Sequence, residues 1–232
     1  MKKIVILTGA GISAESGIKT FRDGDGLWET HRVEDVATPQ AWVKDAELVL
    51  DFYNARRKQL FEVAPNSAHL ALKKLEDKFD VQIITQNVDN LHERAGSSNV
   101  LHLHGLLTQA RSTFDPSLIY DIGDKALKIG DKCERGSQLR PHIVWFGEAV
   151  PNIEPAAKIV SKANILMIIG TSLLVYPAAG LMYYAPVHSQ KFYIDPSATD
   201  IPDVKNLTIV KEKAGTGVPR VVEQLLKGEN GK

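Results

Sequence analysis

The sequence GAGISAESGIKTFRDGDGLW, residues Gly9–Trp28, follows a short apolar run, Ile4–Leu7, near the start of the chain. A strand that enters Gly9-Ala10-Gly11 makes a tight turn without bulky side chains, so that backbone N–H groups can approach a pyrophosphate. The spacing of Gly9, Gly11 and Ala14 satisfies a dinucleotide-binding pattern in its G/A form, although this pattern alone has many chance matches. The stretch therefore predicts a strand that leads into a nucleotide site.

The residues after this turn make the signal more specific. Phe21-Arg22-Asp23-Gly24 sets a cation and an anion beside an aromatic ring, in a segment too rich in glycine for a regular helix. We expect this segment to close over a bound ligand. The alternative is a glycine-rich connector in which Arg22 and Asp23 pair with each other at the surface.

The composition limits the number of domains and the class of partner. The 232 residues, 44% of them hydrophobic, suffice for one good core with a small inserted module, but not for two full-size domains. Lys plus Arg and Asp plus Glu both number 28, so no basic field favours nucleic acid or an anionic membrane. The apolar run before Thr8 is too short for a secretory signal, and no run reaches membrane-spanning length. We expect a cytoplasmic, monomeric protein without nucleic-acid or membrane partners.

Continuous apolar runs recur along the chain and predict strands that are buried on both faces. The runs are Ile4–Leu7, Val81–Thr85, Val100–Leu103, His142–Phe146, Ile165–Ile169, Phe192–Ile194 and Leu207–Val210. The candidate helices are Asp45–Phe61, Ser67–Phe79, Glu154–Lys162 and Val218–Leu226. The predicted fold is α/β, with a Rossmann-like parallel sheet, helices on both faces and a smaller module. We assign residues 1–19, 65–105 and 141–232 to a large lobe, and residues 20–64 and 106–140 to a small lobe.

Two polar clusters follow predicted strands and carry the candidate chemistry. Thr85–Asn90 comes directly after a buried strand, and four of its six residues bear an amide or a carboxylate. In a parallel sheet, the carboxyl ends of the strands line the ligand crevice. His102 and His104 alternate with leucines that would point away, so one histidine is expected at the crevice, where it can act as a base. Alternatively, these side chains are only hydrogen-bonded polar residues at strand ends.

Together, these motifs resemble the sirtuins, a family of NAD-dependent protein lysine deacylases. The matching segments, in the family's order, are Gly9–Trp28, Gln86–His92, His104-Gly105, Val144–Glu148, and Gly170-Thr171-Ser172 with Val175, Pro177 and Ala178. The resemblance spans nearly the whole chain. It implies a Rossmann-like large domain, a small module with a helical part and a zinc-ribbon-like part, and an active site in the cleft between them.

The resemblance also implies the residues that contact NAD. The pyrophosphate would lie across Gly9-Ala10-Gly11. The ribose and nicotinamide would be surrounded by Ala14, Phe21, Arg22 and Trp28, and fixed by Gln86, Asn87 and Asp89. The remaining NAD contacts would be Gly170, Thr171, Ser172, Asp195 and Ala214.

The mechanism implied by the resemblance consumes NAD. The amide oxygen of the acyl-lysine attacks C1′ of the nicotinamide ribose as nicotinamide leaves, which gives an alkylimidate. His104 acts as general base and takes a proton from a ribose hydroxyl, which then attacks the imidate carbon. Hydrolysis releases the free lysine and O-acyl-ADP-ribose. Asn87 and Asp89 complete the catalytic set.

The substrate contacts follow from the same resemblance. Val144 and Phe146-Gly147-Glu148 would pair with the backbone of a substrate peptide as an added strand. Tyr53 and Arg56 share one face of a predicted helix and resemble the Tyr-x-x-Arg pair of class III sirtuins, which remove succinyl and malonyl groups. An arginine fork beside a phenol can receive a carboxylate. The alternative is that residues 56–58 are a solvated run of charges.

The sequence departs from the family in two places. Sirtuins usually carry two Cys-x-x-Cys pairs that bind a structural zinc, but here Cys133 is the single cysteine, with Ser112 and Gly136 at expected partner positions. One thiol cannot supply a tetrahedral structural site, so we predict that zinc is absent. Tyr193 replaces an asparagine near the adenine ribose, and Asp195 is expected to take the ribose diol. In place of zinc, we expect a small apolar core built from Phe114, Leu118, Ile119, Tyr120 and Leu127.

Three other functions remain open at this point. An ordinary nicotinamide oxidoreductase would explain Gly9–Ala14, but the acidic residues about twenty positions later follow a glycine-rich segment rather than a second strand. A catalytically silent NAD-binding module is conceivable because the zinc pairs are missing, yet binding alone does not need His104. A mono-ADP-ribosyltransferase is the nearest alternative within NAD chemistry, and it would leave ADP-ribose on protein.

Overall fold

The computed structural model describes residues 1–18, 27–28 and 31–228, with the backbone alone at 27–28. The strands are β1 (Lys3–Thr8), β2 (Leu27–Trp28), β3 (His31–Arg32), β4 (Asp80–Thr85), β5 (Val100–His102), β6 (Gly105–Ser112), β7 (Ile119–Asp121), β8 (Leu139–Ile143), β9 (Ile165–Ile169), β10 (Gln190–Ile194) and β11 (Leu207–Val210). The α-helices are α1 (Val33–Val36), α2 (Pro39–Lys44), α3 (Ala46–Glu62), α4 (Ser67–Lys74), α5 (Leu91–Arg94), α6 (Ile153–Val160) and α7 (Ala214–Lys227). Short 3-10 helices cover Ala10–Ile12, Ala14–Ser16, Leu75–Asp77 and Ala178–Tyr184. Within the described ranges, no helix is both long and apolar enough to cross a bilayer.

Six strands form a parallel sheet in the order β11-β10-β9-β1-β4-β5. β1 lies between β4 and β9, with Ile4 opposite Val81 on one side and Ile165 on the other. Because side chains alternate along a strand, Ile4 packs into a core with α4 and α7, whereas Val5 packs into a second core with α6. The sheet is therefore covered on both faces, and the predicted Rossmann-like α/β fold is confirmed.

Three antiparallel strands, in the order β7-β6-β8, form a separate small sheet. The predicted strand His142–Phe146 was wrongly placed in the parallel sheet, because β8 covers Leu139–Ile143 and pairs with β6. An apolar run indicates that a strand is buried, but it does not indicate which neighbour the strand pairs with. The exact boundaries of the two predicted lobes stay a prediction.

The small sheet has its own apolar core, which matches the prediction only in part. Leu127 is buried in this core, and Leu118 and Tyr120 pack against it. The prediction was wrong for Phe114 and Ile119, which are 74% and 45% exposed. Ile119 neighbours Tyr120 on β7, so the two side chains point to opposite faces of the sheet. The other buried members of the core are Leu50, Ala110, Cys133 and Leu139.

Two polar side chains of α3 attach this helix to the small sheet and the loop beside it. Asn54 donates to the carbonyl of Leu127 at 2.8 Å and accepts from its N–H at 2.9 Å, so it pairs with Leu127 as a strand backbone would. Arg57, which is fully buried, donates from Nε to the carbonyl of Leu107 at 2.6 Å. Residues 56–58 are therefore not a solvated run of charges, since Arg56 and Arg57 are both buried.

The helix ends follow from local hydrogen bonding. α3 begins directly after Asp45, whose carboxylate caps the helix by accepting from the N–H of Leu48 at 2.9 Å. α7 begins at Ala214, earlier than the predicted Val218, and it contains Pro219. Pro219 has no N–H for the carbonyl of Gly215, and the Ser67 hydroxyl on α4 donates to that carbonyl at 2.7 Å instead. This bond lets the helix continue through the proline.

Candidate active site

A cleft of about 400 Å³ lies where the parallel sheet meets the small sheet and α3. The loops after β1, β4 and β9 form one wall, as expected for the carboxyl ends of parallel strands. The predicted site residues that line this cleft are Gly9, Ala10, Gly11, Tyr53, Arg56, Gln86, Asn87, Asp89, His104, Val144, Phe146, Gly147, Glu148, Gly170, Thr171 and Ser172. Residues from widely separated parts of the chain therefore share one site.

Other predicted contacts do not line this cleft. Ala14 is exposed on a 3-10 helix, and Ala214 is buried at the start of α7. Asp195 is buried after β10, and its carboxylate accepts from the N–H of Ser197 at 2.8 Å. Phe21, Arg22 and the Trp28 side chain lie outside the described residues. The assignments of these six residues stay predictions.

Three glycines bring the loops after β1 and β9 into backbone contact. A Cβ on Gly9 would lie 2.8 Å from the carbonyl oxygen of Gly170, and a Cβ on Gly11 would lie 2.7 Å from its Cα. Gly170 has a φ of +61°, a conformation that favours glycine. The N–H of Gly9 donates to Ile169 and that of Gly11 to Gly170, so these two donors are not free for a pyrophosphate. These glycines let the two loops pack closely against each other. The prediction considered only the turn after β1 and did not include this packing.

A buried hydrogen-bond chain connects Asn87 to Asp89 through Ser13, a residue that the sequence analysis missed. The Asn87 amide donates to the Ser13 hydroxyl at 3.1 Å, and that hydroxyl donates to Asp89 at 2.9 Å. The second oxygen of Asp89 accepts from the N–H of Leu91 at 3.1 Å. Burial raises the pKa of Asp89, although the bonds from Leu91 and Ser13 oppose this shift. Ser13 therefore fixes the orientation of the Asn87 amide in the cleft.

His104 is the histidine that reaches the cleft. Its Nδ1 lies 2.9 Å from the carbonyl oxygen of Gln86, which can only accept, so Nδ1 carries the proton and Nε2 is the acceptor. Burial lowers the pKa of His104 below its ordinary value, although the bond to Gln86 opposes this shift. His102 instead lies with Nε2 2.7 Å from Glu93 and Nδ1 3.1 Å from the carbonyl of Asn87. His104 is accordingly a neutral base with an available nitrogen.

Tyr53 and Arg56 line the cleft from one face of α3. Tyr53 is fully buried and Arg56 is 7% exposed. The Arg56 guanidinium lies 5.9 Å from the centroid of the Phe52 ring. Burial raises the pKa of the Tyr53 phenol far above its ordinary value, so it stays a neutral donor. A cation and a hydroxyl thus face the same cavity.

The Glu148 side chain is engaged within the protein, and the predicted backbone pairing of this residue with a substrate stays a prediction. Its carboxylate accepts from Arg140 at 2.6 and 3.0 Å, from Arg111 at 3.2 Å and from the N–H of Trp145 at 2.8 Å. The Arg140 guanidinium also lies 3.2 Å from the Trp145 ring centroid. These contacts attach the loop after β8 to β6 and β8. Glu148 therefore holds the loop that lines the cleft.

Two backbone donors of the predicted peptide-binding loop are also engaged. The N–H of Val144 donates to the carbonyl of His104 at 2.9 Å, and that of Phe146 donates to Ala37 at 3.0 Å. An added strand therefore cannot use these two donors, and Gly147 lies between Phe146 and the clamped Glu148. The acceptors of these two N–H groups, on His104 and Ala37, are distant in the sequence, so the motif alone could not indicate them.

The sequence model of the Sir2 family matches residues 9–177. The chain belongs to the Sir2 family. A relative from Bacteroides thetaiotaomicron is 52% identical over 97% of this chain and 99% of its own length, and one from Helicobacter pylori is 55% identical over 98% and 99%. Both are named NAD-dependent protein deacylase. At this identity over nearly the full length, this Sir2 protein is an NAD-dependent protein deacylase, and the resemblance to sirtuins is confirmed.

Solved Sir2 structures have the same fold. A Sir2 homologue in complex with NAD is 41% identical, with a TM-score of 0.87 over 99% of this chain and 91% of its own. A Sir2 structure with a p53 peptide and NAD+ is 30% identical, with a TM-score of 0.77 over 97% and 93%. The chain uses NAD as co-substrate, as predicted.

The residues at the family's zinc position do not fit a zinc ion in this Sir2 enzyme. The Cys133 thiol donates to the Ser112 hydroxyl at 3.4 Å, and that hydroxyl accepts from the N–H groups of Phe114 and Asp115 at 3.1 Å. Among the residues that the structure describes, no three His, Cys, Asp or Glu side chains are grouped to hold a metal. The predicted absence of zinc stays a prediction.

Proposed function

We propose that this Sir2 enzyme, an NAD-dependent protein deacylase, removes succinyl and malonyl groups, as well as acetyl groups, from lysine side chains. The products are nicotinamide, the free lysine and O-acyl-ADP-ribose. The observation that carries the proposal is the pair of Tyr53 and Arg56, buried on one face of α3 in the same cleft as His104. A buried cation beside a neutral phenol is a receptor for a carboxylate.

The glycine loops and the polar strand ends would hold NAD. Gly9, Gly11 and Gly170 leave a wall free of side chains, and Asn87 presents an amide whose orientation Ser13 fixes. Bound NAD would supply an electrophilic ribose carbon and nicotinamide as the leaving group. NAD would therefore lie against the wall of the cleft that the parallel sheet forms.

His104 then serves as the general base. Its Nε2 accepts a proton from a ribose hydroxyl, while Nδ1–H stays bonded to the carbonyl of Gln86. Because burial lowers the pKa of His104, its ring is neutral at pH 7. It can therefore accept a proton without first losing one. Binding of NAD alone would not require this arrangement.

Arg56 determines the preference for acidic acyl groups. The cleft is lined there by apolar side chains such as Leu60 and Leu107, so a carboxylate meets the guanidinium with little competing water. A hydrogen bond to a charged group contributes about 1.5–3 kcal/mol, which corresponds to about one to two decades in preference. Acetyl groups fit the same cavity without this contact, and they are the slower substrates.

The lysine reaches the cleft on a peptide that lies along the loop after β8. A solved Sir2 structure binds a p53 peptide together with NAD+, which supports this class of substrate. We place the peptide backbone at Gly147, because Val144 and Phe146 donate elsewhere. A monomeric, cytoplasmic enzyme without nucleic-acid partners remains our expectation.

The test is mass spectrometry of peptides that are identical except for an acetyl-, malonyl- or succinyl-lysine, incubated with NAD. We expect Arg56→Met to lower kcat/KM for the succinyl peptide by about one to two decades, with a change of less than about threefold for the acetyl peptide. Lys58→Met, an exposed charge on the same helix, is the matched control and should change neither. Equal losses on both peptides would refute the role of Arg56.

A His104→Ala variant separates the remaining functions. Loss of acyl removal and of nicotinamide release in this variant supports the deacylase mechanism. ADP-ribose attached to protein would indicate a mono-ADP-ribosyltransferase. NAD binding without any turnover of the wild-type enzyme would indicate a silent NAD-binding module.

A further inference from the structure

His102 does not line the cleft, and its ring is held between two acceptors beside the cleft wall. Its Nε2 lies 2.7 Å from the Glu93 carboxylate on α5, and its Nδ1 lies 3.1 Å from the carbonyl oxygen of Asn87 in the loop after β4. A carbonyl and an ionised carboxylate can only accept hydrogen bonds, so both ring nitrogens donate and both carry protons. In this arrangement the ring is an imidazolium, in contrast to the neutral ring of His104.

The titratable groups around His102 favour its charged form. They are Glu93 and His92 on α5, Asp89 in the loop after β4 and His142 on β8. Burial opposes ionisation of Glu93, but the hydrogen bond from His102 outweighs it and holds the pKa of this carboxyl below its ordinary value. Burial lowers the pKa of His92 and lowers that of His142 to about 4, so both of these rings are neutral at pH 7. Burial raises the pKa of Asp89, and the charge of His102 is one of the contacts that oppose this shift.

His104 and His102 bind successive carbonyls of the loop after β4. His104 donates from Nδ1 to the carbonyl of Gln86, and His102 donates from Nδ1 to that of Asn87, the next residue. The N–H of Asn87 donates to the Thr85 hydroxyl at 3.0 Å, so the peptide groups on both sides of the Asn87 Cα are held. The bond from His102 fixes the second of these peptide groups, and with it the backbone that carries the Asn87 amide.

His102 is itself held in place by its own backbone. Its carbonyl accepts from the Asn152 amide at 2.8 Å, and the N–H of Leu103, the next residue, donates to the carbonyl of Thr85 at 2.9 Å. A side chain on a fixed backbone positions its partner more precisely than a side chain on a loose one. The ring is therefore a rigid support behind the Asn87 loop.

We propose that protonated His102, paired with Glu93, is a positioning residue for NAD binding in this deacylase. It acts through the Asn87 carbonyl and keeps the Asn87 amide in the orientation that NAD requires. The inference rests on the proposed role of Asn87 in holding NAD. His102 touches neither NAD nor the acyl peptide in this scheme, because it does not line the cleft.

The proposal gives NAD binding its own dependence on pH. A neutral imidazole has one N–H and cannot donate to Glu93 and Asn87 together. When His102 loses a proton at alkaline pH, NAD binding should weaken. This effect lies on the opposite side of the pH scale from protonation of the His104 base. Glu93→Gln removes the opposite charge, so it should move the alkaline weakening to lower pH.

The experiment measures the Kd of NAD by calorimetry across a pH series, without peptide, together with KM for NAD and for an acetyl-lysine peptide. His102→Gln should raise Kd and KM for NAD by about tenfold at pH 7, leave KM for the peptide unchanged and remove the alkaline weakening. Glu93 is 40% exposed, so Glu93→Gln is a second variant that the fold should tolerate. His188→Gln replaces an exposed histidine and is the matched control, with wild-type constants expected. In ¹⁵N NMR spectra of the NAD-free enzyme at pH 7, both nitrogens of His102 should carry protons.

Asn87→Ala is the reference that separates this inference from the proposed function. If Asn87→Ala weakens NAD binding but His102→Gln does not, the positioning role of His102 is wrong and the role of Asn87 stands. If Asn87→Ala has no effect on the Kd of NAD, the proposed role of Asn87 and this inference both fail. A single protonated nitrogen on His102 at pH 7, or an alkaline weakening that Glu93→Gln does not move, would also overturn the inference.

Discussion

Glu148 provides a sharp test of the site, because its motif predicts a substrate contact whereas its geometry indicates a clamp. Its carboxylate accepts two hydrogen bonds from Arg140, two longer ones from one nitrogen of Arg111, and one from the N–H of Trp145. Burial opposes ionisation of Glu148, but the bonds from Arg140 and Trp145 outweigh it and hold its pKa below the ordinary value. Glu148→Gln keeps the shape of the side chain and removes the charge.

The expected loss of stability depends on Arg140, the partner that remains after the substitution. Arg140 is 8% exposed, so without Glu148 its guanidinium is a buried cation that keeps only the carbonyl of Ile143 and the Trp145 ring. Breaking a buried ion pair from one side costs about 3–5 kcal/mol. Glutamine still accepts hydrogen bonds, and the Glu148 side chain is 21% exposed, so we expect a loss of about 2–3 kcal/mol.

The assay is urea unfolding followed by tryptophan fluorescence, with Glu154→Gln on the exposed side of α6 as control. A loss of this size should move the unfolding midpoint by about 1 M, since small proteins have slopes of about 1–3 kcal/mol per molar urea. The control should leave the midpoint unchanged. An unchanged midpoint for Glu148→Gln together with a raised KM for peptide would refute the clamp and restore the substrate contact.

Three further predictions follow from other parts of the structure. Because burial lowers the pKa of His104, kcat/KM should decline only as the pH falls below about 6.5, and a midpoint above that value would contradict a neutral base. Burial lowers the pKa of His69 to about 4, so below pH 6.5 the unfolded chain binds more protons than the folded one. The free energy of unfolding should therefore fall by up to about 1.4 kcal/mol per pH unit between pH 6.5 and 4. In urea titrations, His69→Gln should show a shallower dependence of this free energy on pH. The Tyr193 hydroxyl donates to the carbonyl of Thr171 at 3.0 Å, so Tyr193→Phe should raise KM for NAD about fivefold while KM for peptide stays constant; equal changes in both constants would argue against this role.

Much of the fold could be predicted because it depends on local signals. Continuous apolar runs indicate strands of a parallel sheet, and the carboxyl ends of such strands must share one edge, which brought Gly9, Asn87 and Gly170 together. The predicted helix Asp45–Phe61 agrees with α3 within one residue at each end, and the structure shows that Asp45 caps its start. Periodicity and capping act within a few residues, so they are visible in the sequence itself.

The missed features all depend on contacts between distant residues. The sequence could not show that Glu148 pairs with Arg111, because a charge has no preferred partner until the fold places one beside it. Ser13 gave no signal, since a serine after a glycine turn is unremarkable without Asn87 and Asp89 around it. The sequence also suggested that glycine N–H groups point to a ligand, whereas the fold uses them between loops.

The two sides of the cleft are held by different kinds of contact, and this difference bears on how the enzyme selects substrates. The NAD side depends on backbone packing among Gly9, Gly11 and Gly170, where any side chain would collide. The proposed acyl side depends on side chains of α3, where Arg57 holds the small sheet through Leu107 and Arg56 lines the cavity. If Arg56 receives the acyl carboxylate as proposed, a substitution there changes the acyl side and leaves the glycine wall intact, so we expect Arg56→Met to act selectively.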